Sequence, residues 1–195
     1  DPRLRQLFGR YTTYVGGAPD RSPAVLALIW QAEAQGVWAV QGGMHALARA
    51  LAGVADRLGV AQLYGAPVEK IVQKAGRVAQ VILSDGRALD CDAVVFNGDP
   101  AALEQGLLGA DVQRSIPRTA VHPRSLSAWV WSFAAEPKGA DLIHHNVFFN
   151  ADPAQEFGPI AQGKMPQDGT LYVCAQDRAL GAATGLERFE IILNA

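Results

Sequence analysis

The spacing of apolar residues changes abruptly at Gly59, and this change limits what the middle of the chain can fold into. Over residues 44–58 the apolar side chains recur at steps of three and four, which predicts an amphipathic helix that ends at Gly59. In residues 67–73 and 77–84 the step is two, which predicts two strands joined by a turn. Asp85-Gly86 then predicts a hairpin into a short third strand. A helix followed by an antiparallel meander is therefore expected.

Signals on both sides of this segment extend the prediction to an α+β fold class. Asp1-Pro2 and Ser22-Pro23 are typical of helix starts, and Gly36 is expected to end the second helix. The apolar run at 92–98 is typical of a strand buried on both faces, and Asp99-Pro100 predicts a helix over residues 100–108. The rest of the chain predicts a linker followed by a mostly antiparallel sheet, with the linker near 112–125 and strands in 126–136, 144–152, 170–177 and 188–195.

Composition excludes several classes of function. The 195 residues are 49% hydrophobic and 18% charged, so the chain can bury a core. A net charge of −2 without a basic block argues against nucleic acid as a partner. No apolar run approaches the roughly 20 residues that span a bilayer. The two cysteines, Cys91 and Cys174, form no CxxC pair, so neither a disulfide framework nor a structural zinc site is expected, and a reducing cytoplasm fits.

Two junctions have the form of a ligand-binding turn. Residues 36–47, GVWAVQGGMHAL, predict a short strand, a Gly-Gly pair and a helix start, but they are not a GxGxxG fingerprint. Glycines at such a place remove Cβ atoms and let a flat ligand approach, or they simply allow a tight turn. Residues 92–100, DAVVFNGDP, leave the same two alternatives open. Neither junction decides the function alone.

The residues that usually carry metal or nucleophilic chemistry give no motif. His144 and His145 are adjacent on a predicted strand, where neighbouring side chains point to opposite faces, so we expect no shared ion. His45 and His122 have no partner at ligand spacing. There is no GxSxG elbow, and the scattered carboxylates are expected on exposed faces. No metal site is predicted, and the catalytic residues stay unknown.

Several long stretches together resemble the middle of the bacterial carotenoid (phytoene) desaturases. They are YTTYVGGAPDRSPAVLALIWQAEAQGVWAVQGGMHALARALAGVADRLGV, YGAPVEKI and GRVAQVILSDGRALDCDAVVFNGDPAAL. Two further stretches, LIHHNVFFNADPAQEF and DGTLYVCAQDRALGAATGLERFEIILNA, are similar to the distal substrate-domain segments of the family, and all the stretches follow the order of the family. Within that family, ALIWQAEAQGVW and NGDPAAL are most similar to the 1-hydroxycarotenoid 3,4-desaturase branch, also called methoxyneurosporene dehydrogenase. Because both terminal FAD-binding motifs of the family are missing, the resemblance implies an internal fragment.

The resemblance implies a flavin amine oxidase-like, FAD/NAD(P)-binding fold and a division of the chain. Residues 1–36 would be a helical part of the substrate domain, 37–110 the returning part of the FAD-binding domain, and 111–195 the substrate-domain sheet, truncated at its end. The positions that match the family's cofactor-binding segments are Gly42, Gly43, Met44, Val68, Asn97, Gly98 and Asp99. We expect the isolated fragment neither to retain FAD nor to be active.

The resemblance also implies a reaction, which is the removal of two hydrogens from a C–C bond of an acyclic carotenoid with FAD as acceptor. A hydrophobic polyene would be the substrate, and the parent enzyme would lie in the cytoplasm at the inner-membrane surface without spanning it. Trp129, Trp131, Phe133, Phe148 and Phe149 would line a tunnel or form a core. Two alternatives stay open: another amine oxidase-fold flavoprotein, such as a protoporphyrinogen or amine oxidase relative, and a non-redox module that binds apolar ligands.

Overall fold

The computed structural model describes residues 1–117, 124–139, 141–181 and 185–195. They form two compact units: the first comprises Asp1–Ala46 and Ser125–Ala195, and the second comprises Leu47–Arg124. Helix α3 (Met44–Arg57) begins in the first unit and continues into the second. The assignment of the predicted segments to substrate and flavin domains stays a prediction.

The first unit begins with short helical segments. Helix α1 (Pro2–Gly9) starts as predicted, because the Asp1 carboxylate accepts a hydrogen bond from the backbone N–H of Arg3 at 2.9 Å. The second predicted helix is divided into a 3₁₀ helix at Ala24–Leu28 and helix α2 (Ile29–Ala34). The predicted cap at Ser22 is wrong: extended Pro23 occupies the cap position, and no side chain in the described part of the chain caps this helix.

The antiparallel sheet that follows confirms the strands predicted in the second half of the chain. It contains β4 (Ala128–Ala135), β5 (His145–Phe148), β6 (Leu171–Ala175) and β7 (Glu187–Asn194) in the spatial order β4-β7-β6-β5. Every pair is antiparallel. A small core lies on one face of this sheet, formed by Val173, Ala175 and Phe189 with Ala135, Leu142 and Ile191 against it.

Helix α5 (Pro153–Ile160) lies between β5 and β6 and was not predicted. Its start has the same Asp-Pro pair as α1, and the Asp152 carboxylate accepts from the N–H of Ala154 at 2.9 Å. The sequence therefore carried the signal. The helix was missed because Gly158 and Pro159, near its end, are residues typical of loops.

The second unit contains the predicted meander, with β1 (Val68–Lys74), β2 (Arg77–Leu83) and β3 (Ala88–Asp90) in the order β1-β2-β3. Both pairings are antiparallel, as predicted. Helix α4 (Pro100–Glu104) starts at the predicted Asp99 cap. It is shorter than predicted, because the chain turns at Gly106, whose φ of +74° is left-handed.

Two predicted strands do not form. Residues 37–40, before the Gly-Gly pair, are irregular, and Trp38 is 82% exposed. Residues 92–98 are also irregular, and Val95 is 95% exposed instead of buried. A strand exists only through hydrogen bonds to a neighbouring strand, and neither segment has such a neighbour in the described part of the chain.

Part of the predicted linker, including His122, lies outside the described residues. In the ranges that are described, each helix is too short or too polar to cross a bilayer.

Candidate functional site

The Gly42-Gly43 pair forms a tight turn before α3. Both residues have left-handed backbones, with φ of +81° and +80°, and the N–H of Gly43 donates to the carbonyl of Val40 at 2.9 Å. A Cβ at Gly42 would lie 3.3 Å from the Cβ of Ala46, whereas a Cβ at Gly43 would meet no described atom within 4 Å. The backbone conformation thus favours glycine at both places, and the open side of Gly43 leaves room for a ligand.

The other predicted cofactor contacts lie in the second unit. Val68 is 42% exposed at the start of β1, where the pairing with β2 shifts register before Lys70. Asn97 is exposed. A Cβ at Gly98 would lie 2.5 Å from the far end of the Phe96 ring, so a larger residue here would require that ring to move.

The carboxylate of Asp99 is already engaged. Its Oδ1 accepts from the N–H of Ala101 at 2.9 Å, and both oxygens accept from the Arg124 guanidinium at 3.0 and 2.6 Å. The hydrogen bonds from Arg124 and then Ala101 lower the pKa of Asp99 to about 2. A charged cap that is held in this way fixes the start of α4.

The seven residues predicted to bind the cofactor are thus divided between the two units. Gly42, Gly43 and Met44, the last 69% exposed, belong to the first unit. Val68, Asn97, Gly98 and Asp99 belong to the second unit. Their role as flavin contacts stays a prediction.

A cavity of about 760 Å³ lies in the first unit between α1, α5 and the segments that follow them. Its wall contains Glu156, which is 1% exposed and accepts from Arg10 Nη1 at 3.0 Å and Asn194 Nδ2 at 2.9 Å. The other carboxylate oxygen of Glu156 accepts from the N–H of Thr170 at 3.2 Å. This buried carboxylate with three donors links α5 to β7 and to the residue that follows α1.

A second carboxylate is buried in the same unit. Glu187 is 2% exposed, and it accepts from Arg178 Nε at 2.7 Å and Nη2 at 2.9 Å. The hydrogen bonds from Arg178 lower the pKa of Glu187. The prediction that the carboxylates lie on exposed faces is therefore wrong for Glu156 and Glu187. No local pattern marks them, because the arginine partner is 146 residues away in sequence for Glu156 and nine residues away for Glu187.

The two adjacent histidines do not point apart, which corrects the geometry expected from the sequence. Their ring centroids are 4.1 Å apart. One ring nitrogen from each of His144 and His145 and the sulfur of Cys174 all lie within 4.8 Å of one another. Side chains alternate only within a strand, and His144 lies in a bend immediately before β5.

Hydrogen bonds orient this cluster. His144 Nδ1 lies 3.0 Å from the carbonyl oxygen of Ala175, and His145 Nδ1 lies 2.6 Å from the hydroxyl of Tyr172. Burial, followed by the interaction with the Cys174 thiol, raises the pKa of Tyr172. Burial also lowers the pKa of His145 and raises that of Cys174.

A carboxylate shared by two tyrosines lies near these groups. Glu33 in α2 accepts from the hydroxyls of Tyr11 and Tyr14, both at 2.8 Å. Burial and the hydrogen bond to Glu33 raise the pKa of Tyr14 to about 12. Glu33 also favours the cationic form of His145. The first unit therefore contains an aromatic and ionisable cluster that no sequence motif indicated.

The aromatic residues of β4 are exposed in this chain. Trp129 and Trp131 stack with ring centroids 6.3 Å apart and are 54% and 46% exposed. Phe133 is 42% exposed and stacks on buried Phe189 at 5.6 Å. The core alternative is thus wrong for the two tryptophans, and they form an apolar surface on the sheet.

Comparison with known proteins defines the class. Residues 1–136 match the family described as flavin containing amine oxidoreductase, and the chain belongs to that family.

Within this family, the chain is similar in sequence to several carotenoid desaturases. The chain is 62% identical over 195 residues to a hydroxyneurosporene desaturase of Cereibacter sphaeroides, and the alignment covers 100% of this chain and 39% of that protein. It is 58% identical over 195 residues to a hydroxyneurosporene desaturase of Rhodobacter capsulatus, covering 100% of this chain and 40% of that protein. A zeta-carotene-forming phytoene desaturase of Myxococcus xanthus is 34% identical over 179 residues, 91% of this chain and 34% of that protein. The chain thus spans about two fifths of the length of the most similar of these relatives.

Proposed function

We propose that this chain is part of an FAD-dependent desaturase that acts on an acyclic carotenoid. The observation that carries the proposal is the 62% identity, over the whole chain, to a hydroxyneurosporene desaturase, together with membership of a flavin-containing family. When bound, FAD would accept the two hydrogens that leave adjacent carbons as the C–C bond becomes a double bond.

The residues present are compatible with such a cofactor and substrate. The exposed turn at Gly43 has room for a flat ring system, because no described atom lies within 4 Å of the place that a Cβ would take. The stacked Trp129 and Trp131 offer an apolar surface that matches a polyene. In this proposal the protein orients a long hydrocarbon and excludes water, and it needs no acid–base pair of its own.

The two alternatives from the sequence are less well supported. A polar amine substrate fits poorly with the carotenoid desaturases among the relatives, which include both hydroxyneurosporene and phytoene enzymes. A non-redox carrier fits poorly with membership of a flavin-containing family.

A chimaera tests the activity. The segment of the Cereibacter sphaeroides desaturase that aligns with this chain is replaced by this chain, and hydroxyneurosporene is supplied in vesicles with FAD. We expect a product whose absorption is shifted to longer wavelength, because desaturation lengthens the conjugated system. A folded chimaera that binds FAD and leaves the carotenoid unchanged, while the parental desaturase converts it, would refute the proposed activity.

Gly43 tests the flavin contact within the same chimaera. Gly43→Ala is compared with Gly59→Ala, because both glycines have similar left-handed backbones (φ of +80° and +77°) and an open Cβ position. The two substitutions carry similar backbone strain, about 1–2 kcal/mol. Only Gly43→Ala is expected to weaken FAD binding, measured by quenching of flavin fluorescence. Equal affinities in the two variants would leave Gly43 as a turn residue.

We further propose that the parent enzyme works in the cytoplasm at the inner-membrane surface, because a polyene substrate resides in lipid. Flotation of the chimaera with vesicles checks this: we expect it in the lipid fraction, and recovery in the lipid-free fraction would count against it.

A further inference from the structure

The His144, His145 and Cys174 cluster has the composition of a transition-metal site. Two imidazoles and one thiol offer a nitrogen, a nitrogen and a sulfur within 4.8 Å of one another. Imidazole and thiolate are the ligands that Zn²⁺ prefers, and three protein ligands leave a fourth tetrahedral position for water.

The sheet itself brings the ligands together. His145 in β5 and Cys174 in β6 are directly paired across the antiparallel ladder, so their side chains lie on the same face. His144 joins them because it lies in the bend before β5, and its carbonyl accepts from the N–H of Ala175 at 2.9 Å. Strand register thus places His145 and Cys174, and a backbone hydrogen bond to β6 places His144.

Both histidines are oriented by groups behind them. The carbonyl of Ala175 can only accept, so His144 Nδ1 carries the proton and His144 Nε2 has the free lone pair. His145 Nδ1 lies 2.6 Å from the hydroxyl of Tyr172, which can accept from Nδ1–H and so orient His145 with Nε2 free for a metal. Metal-binding histidines in proteins typically have such a partner on the second ring nitrogen.

Nearby carboxylates lower the cost of placing a dication here. Glu190 in β7 is the cross-strand neighbour of Cys174, and Glu33 acts electrostatically on His145. With the thiolate they would offset the charge of a divalent ion in a half-buried site. The ligand types, their spacing, their orientation and the nearby charge all favour a divalent transition-metal ion.

We propose that His144, His145 and Cys174 bind one Zn²⁺ ion, with the hydroxyl of Tyr172 positioning His145. None of the proposed zinc ligands is among the residues predicted to contact flavin, and the proposal does not depend on the proposed function. An ion bound there would join edge strand β5, which has four ladder pairs, to β6.

Cobalt binding tests the site, since Co²⁺ occupies zinc sites and absorbs light. The purified protein is stripped with chelator and titrated with Co²⁺ alone. We expect one ion per chain, a near-ultraviolet band from the thiolate–cobalt bond, and displacement by one equivalent of Zn²⁺. Cys174→Ser should abolish the band, and Tyr172→Phe should weaken binding about tenfold or more.

Matched controls separate a built site from adventitious binding. Cys91→Ser removes the other free thiol and His45→Ala removes an exposed histidine, and neither should change the titration. The urea midpoint of every variant is measured without metal, so that loss of fold is distinguished from loss of a ligand. Folded wild-type protein without saturable Co²⁺ or Zn²⁺ binding, or a thiolate band that persists in Cys174→Ser, would overturn the proposal.

Discussion

Replacing Arg10 with methionine tests whether the buried carboxylate of Glu156 needs its cationic partner. The Glu156 side chain is 1% exposed and that of Arg10 is 16% exposed, so solvent screens the pair little. Methionine keeps an unbranched apolar stem of similar extent to that of arginine but removes the guanidinium and its charge. The variant therefore leaves a buried carboxylate with two neutral donors, Asn194 Nδ2 and the N–H of Thr170.

The expected loss in the free energy of unfolding is large. Breaking a buried ion pair by removal of one partner costs about 3–5 kcal/mol of the free energy of unfolding. The exposed pair of Arg21 and Asp20, at 3.7 Å and 67% exposure of each side chain, provides the control, and Arg21→Met should cost less than about 1 kcal/mol. A double variant, Arg10→Met with Glu156→Gln, should regain about 1 kcal/mol or more, because a buried neutral amide costs less than a buried unpaired charge.

Tryptophan fluorescence is the appropriate assay. All four tryptophans, Trp30, Trp38, Trp129 and Trp131, belong to the first unit, which also contains the ion pair. Urea unfolding followed by their emission thus reports loss of structure in this unit, because every tryptophan belongs to it. The double variant decides the argument: if it is no more stable than Arg10→Met alone, unpaired charge is not the cause of the loss.

Three further predictions concern a cap, an acid-sensitive pair and a core residue. Asp152→Ala removes the cap of α5 and should lower the tryptophan-detected free energy of unfolding by about 1 kcal/mol, whereas no change would mean that packing alone holds α5. Arg178 lowers the pKa of Glu187, so this pair stabilises the fold above the ordinary glutamate pKa and the contribution is lost as pH falls through the lower folded pKa. Glu187→Gln should therefore be less stable at neutral pH and lose less stability below about pH 4 in urea titrations at several pH values, and an unchanged acid slope would contradict this. Ile71→Ala, at a side chain 3% exposed, should destabilise the second unit by about 2–5 kcal/mol, measured by circular dichroism because that unit has no tryptophan; a loss below 1 kcal/mol would show that the site collapses around the change.

Local chemistry accounts for the elements that were predicted correctly. The Asp1-Pro2 and Asp99-Pro100 pairs start helices because the carboxylate accepts from a free N–H and proline needs no donor. The two-residue period of residues 68–83 and the Asp85-Gly86 turn define the meander, because each signal acts over a few neighbouring residues. The family resemblance from the sequence is likewise confirmed, since similarity is a property of residue order.

The same sequence could not indicate features that depend on distant partners. Residues 92–98 have the composition of a buried strand, yet a strand needs a neighbour for its hydrogen bonds, and composition does not say whether one is present. Glu156 is indistinguishable from a surface glutamate until Arg10, 146 residues away, lies at 3.0 Å.

His144 and His145 show most clearly how local sequence patterns differ from contacts made across the fold. Strand alternation, applied to His144 and His145, predicts opposite directions, and this rule holds only inside the pleat. One residue of displacement, from strand into bend, turns His144 toward its neighbour, and the register between β5 and β6 then adds Cys174. Sequence patterns describe neighbours along the chain, whereas strand register and burial arise from contacts across it, and those contacts decide where the ionisable side chains meet.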